Sequence, residues 1–400
     1  MRILVLATRH PAPHTKGDQL RAFSWISELA QRHDVCVVTP GRLVPGERRL
    51  PPAVDIAAVS VGLLGRACSA LGAGATGAPF QVGWMMPRRA WRAAVRAMPD
   101  VDVVLAVTTR SLRGPVPVPL VIDHVDALSL NMERRSRGEE HWLVREFARL
   151  ESARFRAWEQ RSAHWADGAL ASAAEDAAAL PQRPPVEVIA SGLDEIDPAW
   201  ITSQERPIDV VLSGNMRYPP NRRAARMLDA EIFPALRERV TGVRVVVVGR
   251  GADTLGLQHV EVMSDVPDMF AVLRRAKVAI APLELGTGSP NKVLEAAACG
   301  AAIVSSPWAA ARFGIAARTA SDAAGYCAAL YELLSDSASR AAMVSESQMA
   351  VERHRSDVLA RRVEALLLAA VEGRERNAAG PPDRGVGAAV RPWLRRFAGR

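Results

Sequence analysis

The chain has 400 residues, 49% of them hydrophobic, more than one ordinary core accommodates, so two domains are expected. Its formal charge of +8 suits an anionic small substrate, a membrane face or nucleic acid. No zinc-finger spacing, aromatic ribonucleoprotein motif or helix-turn-helix pattern accompanies the arginine excess, and nucleic acid is not expected as a partner.

The first apolar run, residues 3–7, turns polar at Thr8, Arg9 and His10. It is too short for the apolar region of a signal peptide and reads as a buried first strand. A stretch of helical period follows over residues 19–31, then strands at 35–38, 101–104 and 120–122. These runs are continuous, as strands covered by helices on both faces require, and the alternation of strand and helix implies a parallel sheet of βαβ units. Residues 151–161 carry charges at helical spacing and read as a solvated helix face ahead of a strand near residues 167–172. Residues 191–207 are polar and proline-marked, as an interdomain linker is. Strand runs resume at 208–212, 243–248, 278–280 and 302–304 and form a second doubly wound domain.

From Gly373 the chain changes character: Gly380-Pro381-Pro382 breaks helix, and residues 391–400 alternate arginine with Trp393, Leu394 and Phe397. That tail reads either as a free terminus or as a peripheral contact with an anionic membrane. The organisation expected is a domain over residues 1–195, a second over 207–372 and a basic tail over 373–400. No apolar block approaches the roughly 20 residues of a membrane-spanning helix. Cys36, Cys68, Cys299 and Cys327 are too widely spaced for a zinc cluster or a disulfide framework, which leaves them as core or neutral thiols of a reducing cytoplasm.

In doubly wound sheets ligands sit at the carboxyl ends of the strands. After the run 278–280, Gly286 and Gly288 allow close approach of a ligand, and a helix begins near Pro290 with amides and a dipole that favour phosphate. Lys292 adds a cation in its first turn, and Glu295 lies one turn on, where a carboxylate accepts both hydroxyls of a ribose. The alternative is an ordinary exposed i,i+3 pair on a capped helix. Gly249-Arg250-Gly251 begins a dinucleotide fingerprint but lacks its third glycine and its acidic partner. In the first half, Gly17 lets amides face a diphosphate, and Asp18 is either part of that loop or a plain N-cap of the helix from Gln19. Asp123-His124-Val125-Asp126 follows a buried strand, so His124 or Asp126 is placed to orient an acceptor hydroxyl, with a satisfied structural histidine as the alternative.

The segment Gly286-Thr287-Gly288-Ser289-Pro290-Asn291-Lys292-Val293-Leu294-Glu295-Ala296 resembles the donor-site motif G-x-G-x-x-N-K-V-L-E-A of GT-B fold glycosyltransferases of family 4. Leu212-Ser213-Gly214-Asn215-Met216-Arg217-Tyr218-Pro219-Pro220-Asn221 resembles the opening of that family's C-terminal domain. Val246-Val247-Val248-Gly249-Arg250-Gly251 resembles a strand end, and Asp265-Val266-Pro267-Asp268 a turn near the nucleotide base. In the first half, Lys16-Gly17-Asp18-Gln19-Leu20-Arg21 and residues 121–129 resemble a bacterial subgroup of polysaccharide-associated sugar transferases.

The resemblance implies an α/β protein of two doubly wound Rossmann-like domains facing a central cleft. It implies a UDP-, GDP- or dTDP-sugar as substrate, no cofactor and no essential metal, and transfer with retention to a glycan, lipid-linked or secondary-metabolite acceptor. By the resemblance Gly17, Gly214, Asn215, Arg217, Val266, Thr287, Gly288, Ser289, Asn291, Lys292 and Glu295 bind the donor. Arg217 and Lys292 face the diphosphate with Arg222 behind them, and His124 and Asp126 serve the acceptor. Thr287 stands where many family members carry the earlier of two glutamates, and the helix near residues 351–371 is implied to return to the N-terminal domain. Two other readings are weaker. A nicotinamide oxidoreductase needs a glycine fingerprint after the first strand, where residues 8–18 have none, and against a non-catalytic scaffold stand Lys292 and Glu295.

Overall fold

The computed structural model describes residues 1–12, 17–41, 50–138, 141–193, 205–283 and 290–379. In the first half, β1 (Arg2–Leu6), α1 (Gly17–Leu29), β2 (Asp34–Pro40) and β3 (Asp55–Val59) precede three helices, α2 (Leu63–Ala75), α3 (Phe80–Met85) and α4 (Arg88–Ala97). Then come β4 (Val103–Val107), β5 (Leu120–Asp123), α5 (Leu128–Gly138), α6 (Trp142–Ala163), β6 (Gly168–Ala171), α7 (Ala174–Ala179) and β7 (Val186–Val188). The second half runs β8 (Ile208–Ser213), α8 (Pro219–Met227), α9 (Phe233–Arg239), β9 (Val245–Val248), β10 (Glu261–Met263), α10 (Met269–Leu273), β11 (Ala276–Ala281) and α11 (Asn291–Ala298). It closes with β12 (Ala302–Ser305), α12 (Pro307–Ala311), β13 (Arg318–Thr319), α13 (Ala323–Ser335), α14 (Ser337–Arg353) and α15 (Ser356–Ala379).

Seven strands form one sheet in the order β3-β2-β1-β4-β5-β6-β7 and six form another in the order β10-β9-β8-β11-β12-β13. Every strand pairing is parallel. Parallel strands with helices on both faces have no wet side, which is why β4 (VVLAV) and β9 (VVVV) are buried at every position. In each sheet the order reverses once, between β1 and β4 and between β8 and β11. At such a point successive crossovers diverge to opposite faces and leave a crevice at the carboxyl ends. Among the described residues no helix is long and apolar enough to cross a membrane.

Two expectations are corrected. The charged run 151–161 is a solvated face only in part: Arg156 and Arg161 are exposed, but Glu151 and Glu159 are buried. The Glu151 carboxylate accepts from the amides of Phe80 (2.9 Å) and Gln81 (3.2 Å) at the start of α3, and that of Glu159 accepts from the Ser129 amide (3.1 Å) at the start of α5. One long helix thus satisfies the orphan amides of two others. The second correction concerns α15, whose Leu359, Ala360, Val363 and Leu367 join Ile26, Leu29 and Val121 in the core of the first sheet. By packing, residues 356–372 belong with the first domain, to which the resemblance has this helix return, and not with the second, where chain order places them. The helix also continues through Gly373 to Ala379, so residue 373 is no structural boundary. The rest of the tail, residues 380–400, and residues 194–204 of the linker lie outside the described residues. Of the cysteines, Cys299 and Cys327 are buried and burial raises both thiols, Cys299 to about 12, while Cys68 is exposed.

A buried ion pair ties α1 to the sheet. Arg21 donates from Nε to Asp123 Oδ2 (2.6 Å), Trp25 donates to the same oxygen (2.8 Å), and the Arg21 and Asp123 side chains have no solvent exposure. The other carboxylate oxygen accepts from the Val125 amide (3.0 Å) and so sets the path of the chain after β5. Asp123→Ala strands the guanidinium in the core and is expected to cost about 3–5 kcal/mol of stability. Equilibrium urea unfolding measures it, and a loss below about 1 kcal/mol would show that the pair does not hold α1 in place.

Candidate active site

The loops that follow β8 and β9 lie on each other at the reversal of the second sheet. Gly214 (φ +145°) and Gly249 (φ +137°) hold conformations that favour glycine. A Cβ on Gly249 would stand 1.9 Å from the Gly214 carbonyl oxygen. The Gly214 amide donates to Val248 (3.0 Å) and the Met216 amide to Arg250 (2.9 Å). Asn215 Oδ1 accepts from the Arg217 amide (3.0 Å), a local turn that leads into α8. Arg217 is exposed and its side chain runs along Gly251, its Cγ 3.4 Å from where a Cβ would sit.

Lys292 reaches back to this loop from the first turn of α11. Its Nζ donates to Asn221 Oδ1 (2.6 Å), and Asn221 Nδ2 donates to the Asn215 carbonyl (2.9 Å). A Cβ on Gly214 would stand 2.8 Å from Nζ, so the glycine opens the space that the ammonium needs. Lys292 and Glu295 are both half-buried, and the exposed-pair alternative fails. Burial pulls the Lys292 ammonium down to about 8, with Glu295 opposing. Burial likewise pushes the Glu295 carboxyl up, with Lys292 opposing. Asn291 opens α11 and its Oδ1 is buried without a hydrogen-bond partner among the described residues.

Val266, after β10, is partly buried against the core of the second domain, and Asp268 caps α10 through the Ala271 amide (3.1 Å). Arg222 is exposed on α8. Thr287, Gly288 and Ser289, with Gly286, lie outside the described residues. Sequence reasoning gave Asn221 no role. It closes the segment 212–221, but its partner lies 71 positions away.

At the first sheet, Gly17 begins α1 and is exposed. Asp18 is no N-cap of a helix from Gln19: the helix has already begun at Gly17, and the carboxylate pairs with Arg9 after β1. His124 is buried, and burial pulls its imidazole down to about 4, so it is neutral at pH 7. Its Nδ1 has no hydrogen-bond partner among the described residues, so it is not a satisfied structural group. Asp126 is half-buried and its carboxyl is pushed up to about 6, first by burial and then by Asp176, with Arg110 and Arg21 opposing. Of the two candidates, Asp126 is therefore the one that titrates near neutrality.

Glu175 of α7 accepts from Arg312, which follows α12 (2.9 Å), and pairs with Arg134. Since α7 follows β6 and α12 follows β12, this contact brings the carboxyl edges of the two sheets toward each other. Among the described residues no three His, Cys, Asp or Glu side chains are placed to hold a metal ion.

Two Rossmann-like domains with opposed ligand edges are the GT-B architecture. Residues 207–336 match the family model described as Glycosyl transferases group 1. In fold the chain is similar to Anabaena HepE in complex with UDP, at 15% identity over 92% of this chain and 100% of that one, with a TM-score of 0.62. HepE has also been solved in complex with UDP-glucose. It is similar as well to WaaG, a glycosyltransferase involved in lipopolysaccharide biosynthesis, at 15% identity over 92% and 99% of the two chains, with a TM-score of 0.61. A comparison with curated proteins finds no match.

The glycine contact is testable by itself. Gly249→Ala is expected to lower stability by about 2 kcal/mol or more through the clash and the strained φ. Gly373→Ala, at a helical position with nothing within 4 Å, should be neutral or stabilising. Thermal unfolding of the two variants compares them, and an unchanged midpoint for Gly249→Ala would mean that the loops are not held as described.

Proposed function

We propose that this protein is a glycosyltransferase that takes a sugar from a nucleotide-diphosphate sugar at the edge of the second sheet and moves it to an acceptor hydroxyl at the first. The observation that carries the reading is Lys292, a half-buried ammonium fixed by Asn221 against Gly214 at the start of α11. A fixed cation beside helix amides is a place for a diphosphate. In this reading Arg217 and the loop with Thr287, Gly288 and Ser289 complete that cradle, with Gly17 across the cleft. Gly214, Asn215 and Asn291 shape it, Glu295 accepts the ribose hydroxyls and Val266 packs by the base. The family match over residues 207–336 supports the reading. The UDP and UDP-glucose complexes of HepE make a UDP-sugar the first donor to test, ahead of GDP- and dTDP-sugars.

Transfer breaks the bond from the anomeric carbon to the diphosphate oxygen and forms one to the acceptor oxygen. Negative charge grows on the departing diphosphate. A cation already held in place stabilises that charge without reorganising, which lowers the barrier more than it tightens binding. We take the reaction to be retaining: the leaving oxygen receives the acceptor proton on the face it departs from. Lys292 and Arg217 supply the positive charge that a divalent cation would otherwise bring. Ionised Asp126 accepts a hydrogen bond from the acceptor hydroxyl, of a glycan, a lipid-linked sugar or a small molecule, and orients it.

Thermal-shift screening against UDP-, GDP- and dTDP-sugars is expected to single out one base, since ligand at a hundred times Kd stabilises by about 2.7 kcal/mol. With that donor, turnover should be unchanged by EDTA. Binding without any turnover would favour the scaffold reading. Glu295→Ala should raise the donor KM about tenfold or more, from the loss of hydrogen bonds to a charged acceptor. Lys292→Ala should act mainly on kcat, and wild-type kinetics in both variants would overturn the site.

The titrations predict a bell-shaped pH dependence. kcat/KM should rise through about pH 6 as Asp126 ionises and fall above about pH 8 as Lys292 loses its proton. Asp126→Asn should remove the acidic limb and leave the alkaline one, and an acidic limb that survives in the variant would assign it to another group.

A further inference from the structure

Large apolar side chains stand exposed on one face of the first domain. Leu63 (74% exposed), Leu64 (84%) and Leu71 project from α2, and Trp142 (61%), Leu143 and Phe147 from α6. On α6, Leu143, Phe147 and Leu150 recur at i, i+4 and i+7, the spacing of a stripe that ordinarily faces a core. Here all three are exposed.

The short helix α3 joins the two sides into one surface. Phe80 packs its ring against Phe147 (centroids 6.1 Å apart) and lies so close to Gly74 of α2 that a Cβ there would meet the ring at 2.2 Å. Arg66 of α2 donates to the carbonyl of Trp84, itself exposed, near the end of α3 (3.1 Å). Exposed apolar surface of this extent marks an interaction face rather than the scatter found on any protein.

Along α2, α3 and α4 the charge has one sign, while on the α6 side Glu139 and Glu140 precede Trp142 in the sequence. Between Asp55 and Asp100 the chain carries Arg66, Arg88, Arg89, Arg92 and Arg96 and no aspartate or glutamate. Arg89, Arg92 and Arg96 are exposed along α4, and the Arg88 guanidinium stands beside Gly72 of α2. On the first half of α6, Glu146 is engaged by Arg149 (2.8 Å) and Glu151 is buried under α3. A protein partner would have to match an apolar patch rimmed by arginine. A bilayer with anionic headgroups matches it without further specification: leucines enter the acyl boundary, tryptophans sit at the interface and arginines meet the headgroups.

We propose that the face built from α2, α3, α4 and the start of α6 docks on a membrane surface that carries anionic lipid. The face adjoins the acceptor edge, because Gln81 of α3 accepts from Arg110 (3.1 Å), which follows β4. Docking therefore sets that edge beside the bilayer. The surface is built from described residues alone, and the tail, residues 380–400, lies outside them.

The test is co-sedimentation of the full chain with phosphatidylcholine vesicles with and without phosphatidylglycerol. Binding is read without turnover, so the result does not depend on the proposed donor. The native chain is expected to sediment with the anionic vesicles and far less with the neutral ones. Two variants, Leu64→Ser with Phe147→Ser and Arg89→Glu with Arg92→Glu, should each lower partitioning about tenfold or more, with the unfolding midpoint unchanged. Equal sedimentation of native chain and variants would overturn the proposal and assign binding to the tail or another face. Failure of the native chain to sediment would overturn it too. So would a dimer, seen by sedimentation velocity without vesicles, that Leu64→Ser with Phe147→Ser abolishes.

Discussion

The contact of Gly214 with Gly249 is the constraint on which the second domain's edge depends. The loops after these neighbouring strands pass so close that a Cβ on Gly249 would stand 1.9 Å from the Gly214 carbonyl oxygen, while a Cβ on Gly214 would meet the Lys292 ammonium and Asn221. The closeness has two consequences. It lets the Met216 amide reach the Arg250 carbonyl, so the loops are hydrogen-bonded to each other. It also leaves room beside Gly214 for the Lys292 ammonium, which Asn221 then fixes from behind. Positive charge is difficult to hold half-buried, and burial does pull this lysine down to about 8. The asparagine, the glycine and the opposing carboxylate of Glu295 hold the ammonium in place, where under the proposed function the donor diphosphate meets it.

The two sheets share a topology and use it differently. At the second, glycines and the start of α11 place the Lys292 ammonium at the edge. At the first, the corresponding edge is filled by side chains: Arg21 and Trp25 close on Asp123, and Asp123 in turn anchors the Val125 amide. Val125 holds φ +63°, an uncommon conformation for a β-branched residue, so the turn that presents His124 and Asp126 is held by its surroundings rather than by local preference. A rigid turn of that kind suits the placing of one carboxylate, and a glycine cradle suits the backbone approach of a phosphate.

Much of this was legible in the sequence. Strands β1, β2, β4, β5, β8, β9, β11 and β12 stand out because a strand buried on both faces must be apolar throughout. Lys292 and Glu295 stand out because glycines, a helix start and two charges occur in one short segment. Other features depend on partners remote in the chain. Glu151 and Glu159 look solvated from their spacing, and only the amides of α3 and α5 make their burial sensible. Strand β3 is short and only partly buried, α2 has leucines facing outward and α3 is a six-residue helix, so no apolar period announces them. The allegiance of α15 is invisible because an amphipathic helix does not state which sheet it covers.

The way α15 crosses back determines how the two edges can move. Leu193 donates to the His354 carbonyl (3.0 Å) and accepts from the Ser356 amide (3.0 Å), so the first domain's last described residue and the break between α14 and α15 are bound side by side. From there α15 is packed firmly into the first domain and α14 into the second. The contact between the carboxyl edges is of another kind. Glu175 with Arg312 and Arg134 is a small, partly buried ionic cluster with no apolar core around it comparable to those of the two sheets. A tight crossing at one place and a small ionic cluster at the other are the arrangement that a hinge between domains needs. Separating the edges breaks this ionic cluster and leaves the buried cores of both domains intact. The fold thus keeps the cradle of the second sheet and the turn of the first each rigid in itself, and leaves the distance between them as the soft coordinate.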